Sequence, residues 1–245
     1  MLGQAAQTPT SIPAAITPAP QALGATRFLA FGDSITCGVN SIAFDGPSLV
    51  TLRCLSSDYG YPERLQGMLR TYNPGQTFAV RKRGEPGEWA AEGERRLTSE
   101  LTELAGPSVP VSERPQALLL LEGINDMNNG VSATRAAASV AQMVQIARTF
   151  NLTILVATMP QTYRNEAGRE NARDQIVPFN NEVRRLVGGL QNVRIVDLYS
   201  AFGTNAYGTL IGVDGLHPTP AGYDLMAQQF HAAILQQFPV RGGLQ

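Results

Sequence analysis

The chain has 245 residues, 43% of them hydrophobic and 16% charged, with a formal net charge of -1. That length suits one sizeable α/β domain or two small ones, and the balanced charge gives no electrostatic ground for a nucleic-acid or anionic-membrane partner. No apolar run approaches the length of a bilayer span, Ala117 to Leu121 being among the longest.

Residues 1–26 carry no charged side chain and are rich in Ala, Thr and Pro. Spaced prolines block helices and sheet ladders, so this stretch reads as a disordered or extended tail preceding a domain over 27–240. No apolar core of a leader follows Met1. The uncharged Ala/Pro/Thr composition suits a secreted or periplasmic protein, which is the expected location.

The first strand is predicted at Arg27 to Asp33. The run Phe28-Leu29-Ala30-Phe31 is apolar and stops abruptly at Gly32-Asp33-Ser34, which puts a hydroxyl at the carboxyl end of a strand. A long loop over 38–60 follows. The two cysteines, Cys37 and Cys54, bracket most of it. A disulfide between them would pin the loop near Ser34 and contribute about 3 kcal/mol in the chain-entropy view; two buried free thiols are the alternative. A helix opens near Pro62, with Leu65, Met68, Leu69 and Tyr72 on one face, and ends at Asn73-Pro74-Gly75. A second strand is predicted at Thr77 to Val80. After it, Arg81 to Gly87 reads as a basic, glycine-rich turn in which Arg81, Lys82 and Arg83 are solvated.

Leu97, Leu101 and Leu104 stripe the next helix. Ala117 to Leu121 reads as a central parallel strand ending in Glu122-Gly123-Ile124-Asn125-Asp126. Val140, Met143, Val144 and Ala147 mark another helix, and Leu152 to Thr158 a fourth strand. Met159 to Arg173 reads as a polar loop. Pro178 opens a helix with Phe179, Val183, Leu186, Val187 and Leu190 on its face. Val193 to Asp197 is the fifth strand. A glycine-rich segment leads to Asp214-Gly215-Leu216-His217, after which Thr219 caps and Pro220 begins the last helix. Five strands alternating with five helical patterns argue for a doubly wound parallel sheet with right-handed crossovers.

In such a sheet the carboxyl ends of all strands share one edge, so Ser34, Gly87, Asn125, Asp214 and His217 converge there. A serine becomes a nucleophile only with a base, an orienter for that base, and donors for an oxyanion. Each residue also has a plainer reading. Ser34 and Asn125 could be cap and turn residues, Gly87 a turn glycine, Asp126 structural, His231 helix packing. Trp89 could line an acyl pocket, with core packing favoured.

Gly32-Asp33-Ser34, the glycine after strand two, Gly123-x-Asn125-Asp126 and Asp214-x-x-His217 resemble, in order, the four blocks of the GDSL, or SGNH, hydrolases. The resemblance implies a three-layer α/β/α sandwich around a five-stranded parallel sheet, flavodoxin-like in topology. It implies Ser34 as nucleophile, His217 as general base and Asp214 as its orienter. The oxyanion hole would combine the N–H groups of Ser34 and Gly87 with the side-chain amide of Asn125. The second block usually carries an asparagine five residues before its glycine, where this chain has Lys82; Gly84 is therefore the alternative to Gly87.

The implied activity is metal-independent ester hydrolysis with no cofactor. The ending Asp214 to Tyr223 looks like that of the carbohydrate acetyl esterase branch, which leans toward short acyl groups on a small-molecule or carbohydrate ester. A broad lipase or lysophospholipase-like esterase is the alternative within enzymes, and an inactive carbohydrate-binding module the alternative outside them. An ordinary α/β-hydrolase is disfavoured because no Gly-x-Ser-x-Gly elbow surrounds Ser34. Oligomeric state is not legible.

Overall fold

In a computed structural model of the chain, residues 22–39, 60–163 and 171–240 are described. Five parallel strands form one sheet in the order β2-β1-β3-β4-β5: β1 Arg27–Gly32, β2 Ala79–Gly84, β3 Ala117–Leu121, β4 Thr153–Ala157 and β5 Val193–Val196. All five residues of β3 are buried, as a strand covered on both faces requires. The helices are α1 Ser34–Cys37, α2 Tyr61–Tyr72, α3 Ala90–Ala105, α4 Ile124–Asn128, α5 Ala133–Thr149, α6 Asn171–Val187, α7 Leu198–Phe202 and α8 Pro220–Gln237. Helix α2 packs on α8, while α3 packs on α5 and α5 on α6, which makes the two outer layers of an α/β/α sandwich. No helix of the described residues is long and apolar enough to cross a membrane.

Two predicted boundaries are corrected, and two short helices are added. Strand β2 runs over Ala79–Gly84, beyond the expected Thr77 to Val80, and absorbs Arg81, Lys82 and Arg83, which were expected in a solvated turn. It is an edge strand, where charge is tolerated. Alternation sends its cations to opposite layers: Lys82 pairs with Glu63 of α2 at 2.6 Å and Arg83 with Glu100 of α3 at 2.8 Å. Helix α6 starts at Asn171, so Pro178 lies inside it. An interior proline costs about 3 kcal/mol, yet the apolar face begins before it, with Ala172, Ile176, Phe179 and Val183 all buried. The short helices α4 and α7 were not anticipated; each is one turn long and carries no readable period.

Residues 22–26, assigned by sequence to the tail, pack on the domain. Leu23 and Ala25 are buried, the Gly24 N–H donates to the Phe238 carbonyl at 2.9 Å, and Gln76 brackets Leu23 through both its N–H and C=O. The remainder of the tail and most of the loop over 38–60, with Cys54, lie outside the described residues.

Under the carboxyl edge of the sheet lies a layer of buried acids. Asp33 is fully buried; its Oδ1 accepts the Ile35 N–H at 2.9 Å, capping α1, while its Oδ2 accepts no hydrogen bond among the described residues. Neither carboxyl oxygen of Glu122, at the tip of β3, accepts one either. Burial raises the Asp33 carboxyl to about 7, against the Ile35 N–H and with the charges of Glu88 and Asp126 adding to it. Burial likewise holds Glu122 well above the carboxylate range, with Asp33 and Glu88 nearby reinforcing the shift.

A carboxyl raised in the folded state binds a proton that the unfolded chain has already lost. Its contribution to stability is complete below the ordinary value of 3.8 and is lost as pH climbs through about 7. Asparagine caps a helix as well as aspartate does. The thermal midpoint of Asp33→Asn, followed by calorimetry, is expected to fall less than that of the parent protein between pH 4 and pH 8. The expected gap at pH 8 exceeds ~2–4 °C, the shift 1 kcal/mol gives in a chain of this size. Parallel curves would place the proton elsewhere.

Candidate active site

The tip of β1 is shaped by what cannot fit there. A Cβ on Gly32 would lie 1.9 Å from the Leu121 carbonyl oxygen, so only glycine allows β1 and β3 to close at this edge. The chain then turns at once into α1, whose first residue is Ser34. The first N–H of a helix has no acceptor within the helix, so the Ser34 N–H is left for another group. Gly38 ends α1 in the left-handed region, with φ 91°.

Asp214 and His217 arrive on the segment between α7 and α8, and several bonds hold that segment. Asp214 Oδ1 accepts the N–H groups of Leu216 and His217, each at 3.0 Å, folding the Asp-x-x-His unit on itself. The Gly215 carbonyl accepts from the Tyr163 N–H at 2.6 Å and the Thr162 hydroxyl at 3.0 Å, both on the irregular segment that follows β4. The Gly212 N–H donates to the His217 carbonyl at 2.9 Å. Thr219 caps α8 by accepting the Gly222 N–H, with Pro220 as its first residue.

The segment delivers a linear relay. Asp214 Oδ2 lies 2.6 Å from His217 Nδ1, and His217 Nε2 lies 2.8 Å from Ser34 Oγ. The partners assign the tautomer: Nδ1–H donates to the carboxylate, which leaves the Nε2 lone pair facing the hydroxyl. Ser34 and His217 are both buried, and Asp214 is half-buried. Burial opposes the Asp214 charge, but the hydrogen bonds from His217, Leu216 and the His217 N–H outweigh it and hold its pKa below the ordinary carboxylate value. It therefore stays ionised behind the imidazole.

The remaining candidates lie on α4, at the end of β2 and in the loop after it. Asn125, in α4, donates from Nδ2 to the Glu88 carbonyl at 2.9 Å, which fixes the amide plane. Gly87 lies in the loop between β2 and α3 with φ 83° and nothing within 4 Å of where its Cβ would be. Gly84, the alternative, occupies the last position of β2, and its Cβ would sit 2.2 Å from the Cys37 nitrogen. It serves close packing against α1. Cys37 is buried at the end of α1.

Asp126 ties this corner together: its Oδ2 accepts the Ala90 N–H, the first of α3, at 2.7 Å. Trp89 is not in the core; it stands at the N-cap of α3 and is 39% exposed. The ring of His231 meets Tyr72 edge-on, which is packing. Glu88 and Arg96 escaped the sequence reading. They form a pair under the loop, Glu88 buried and Arg96 partly so, and nothing distinguishes them in sequence from ordinary surface charges. No group of His, Cys, Asp and Glu able to hold a metal ion occurs among the described residues.

A small cavity of about 10 Å³ opens at this edge, lined among the described residues by Ile35, Ile124, Met159, Ile211 and Leu216. Three of these are sequence neighbours of Ser34, Asn125 and His217.

Solved structures with this fold include a lipase/acylhydrolase from Enterococcus faecalis, at TM-score 0.66 and 19% identity over 89% of this chain and 100% of that one. An arylesterase, so described with reservation, from Agrobacterium tumefaciens matches at TM-score 0.64 and 18% identity, covering 86% and 99%. An acetylxylan esterase from Geobacillus stearothermophilus matches at TM-score 0.60 and 21% identity, covering 86% and 95%. At such identities the likeness is one of fold. Among curated proteins none matches this sequence. The profile of the GDSL-like Lipase/Acylhydrolase family, however, matches residues 30–225, well over half the chain and every residue of the relay, and on that ground this protein belongs to that family and is a carboxylic ester hydrolase.

Proposed function

We propose that the protein cleaves short acyl esters, acetyl esters foremost, through an acyl-enzyme on Ser34. The observation that carries the reading is the relay itself, 2.6 Å and 2.8 Å across its two links. In this mechanism Nε2 of His217 takes the hydroxyl proton as Oγ bonds to the ester carbonyl carbon. The carbonyl becomes an oxyanion, received by the N–H groups of Ser34 and Gly87 and the Asn125 amide; one such donor is worth about 2.7–4 kcal/mol in the transition state. His217 then returns the proton to the departing alkoxide. Water repeats the sequence on the acyl-enzyme, which releases the acid and restores Ser34. Asp214 holds the tautomer and stabilises the imidazolium throughout.

The preference for short acyl groups rests on the cavity. The space is small, about 10 Å³ among the described residues, and this supports a small acyl group such as acetyl. The acetylxylan esterase from Geobacillus stearothermophilus shares the fold, and this supports a carbohydrate acetyl ester as the substrate. Cys37 and Cys54 are proposed to be bridged, which fits an oxidising, secreted or periplasmic location.

Ser34→Ala is expected to lose aryl acetate turnover by about 10⁴-fold or more while keeping its circular dichroism; retained turnover would remove Ser34 from the reaction. Across a series of aryl esters, kcat/KM is expected to drop ~10-fold or more from acetate to butyrate. Met159→Ala is expected to restore butyrate selectively. The backbone of Met159 is held at both ends by Asn180, at 2.7 and 2.9 Å, so truncation opens the cavity without releasing the chain. Equal rates for acetate and octanoate would support the broad lipase-like reading instead. Thiol titration of oxidised protein is expected to find no thiol before reduction and both cysteines after it; two thiols at the outset would discard the bridge.

A further inference from the structure

Arg96, on α3, reaches under the sheet edge toward the loops that bear the proposed oxyanion donors. Its Nε donates to Glu88 Oε1 at 2.7 Å and its Nη2 to Glu88 Oε2 at 2.5 Å, a two-pronged pair. Nη2 also reaches the carbonyl of Gly32 at 3.2 Å and that of Arg83 at 3.4 Å. The guanidinium carbon sits 3.9 Å above the Phe31 ring. One planar cation thus holds the last carbonyl of β1, a carbonyl near the end of β2, and the side chain that follows Gly87. A lysine has neither the fork nor the flat face for this.

These contacts bear on each proposed donor. Gly32 stands two residues before Ser34. Glu88 directly follows Gly87. The Glu88 carbonyl is the acceptor that orients Asn125, at 2.9 Å. Glu88 is itself buried, so its carboxylate has no alternative anchor in solvent. A partly buried ion pair of this kind gives little net stability once desolvation and solvent screening are counted. The arrangement makes more sense as a means of fixing geometry.

We propose that Arg96, acting through Glu88, is a positioning residue that sets the spacing of the oxyanion donors. It touches neither substrate nor reacting atoms. The inference rests on the acyl-enzyme reading above, and its failure can be told from the failure of that reading.

The test compares Glu88→Gln, Arg96→Lys and Arg96→Met with the parent enzyme and with Ser34→Ala. Aryl acetate hydrolysis and inactivation by an aryl phosphonate, which builds the same tetrahedral oxyanion on the serine, are both measured. The expected result is a ~10²-fold fall in kcat for both Arg96 variants, the order of loss from a donor displaced by about 1 Å. The phosphonate rate falls in parallel, KM changes less than about 2-fold, and the acid limb of the pH profile stays in place because the relay of Ser34, His217 and Asp214 is untouched. Arg96→Lys is expected to remain low in spite of its charge. If Arg96→Met does not fold, Glu88→Gln, which preserves volume, decides with the same readouts. Wild-type kcat and phosphonate rate in folded variants, with only the thermal midpoint lowered, would overturn the proposal while leaving Ser34 in place. Loss confined to KM would overturn it as well. An active Ser34→Ala would instead sink the reading on which it rests.

Discussion

The hydrogen bond between His217 Nε2 and Ser34 Oγ joins residues 183 positions apart at 2.8 Å. Everything else in the fold serves to hold its two ends. A parallel sheet brings the β1 tip and the segment before α8 to one edge, but topology alone does not set a distance to tenths of an ångström. That precision comes from close backbone contacts. Gly32 lets β1 approach the end of β3, Gly84 lets α1 settle on β2, and Gly222 lets α8 approach the Leu210 carbonyl, where a Cβ would stand at 2.1 Å. The tolerances at both ends are therefore tighter than a side chain.

Local bonds complete what the close contacts begin. Asp214 spends one oxygen on two backbone N–H groups and the other on the imidazole. The first set prevents the Asp-x-x-His unit from unwinding, and the second orients the ring. Thr162 and Tyr163 bind the same segment from outside at Gly215. One carboxylate thus acts as both structural clamp and electrostatic partner. Its held negative charge follows from the same contacts that hold its position.

Much of this was legible in sequence because it is written in residue types with few uses. An apolar tetrapeptide stopped by Gly-Asp-Ser, a five-residue all-buried β3, and Thr219-Pro220 ahead of α8 each have one good physical reading. The α2, α3 and α5 stripes stand where the structure puts them. What escaped was decided by tertiary context. Strand β2 looks like a basic turn until Glu63 and Glu100 are seen across from it. Pro178 looks like a helix start until the apolar face on both sides of it is buried. Trp89 looks like core until its place at the N-cap of α3 puts it in the open. Nothing in the sequence marks the carboxyls of Asp33 and Glu122 as buried. The pairing of Glu88 with Arg96 is equally invisible there.

Lys82 shows how a departure from the family pattern can be absorbed. It occupies the position where the second block usually carries asparagine, which puts the following glycine in question. The structure locates Lys82 in the edge strand, paired with Glu63 of α2 at 2.6 Å, on the layer opposite Arg83 and α3. The departure thus falls on the strand's packing against α2, not on the loop that follows. Gly87 keeps its positive φ and open surroundings. The loop's own restraints are the Asn125 amide at Glu88, the Asp126 carboxylate at Ala90 and the Arg96 fork. None of the three depends on the identity of residue 82. A loop fixed by such ties can keep its shape when one family residue is lost from the strand before it, provided the loop, and not the strand, carries the geometry.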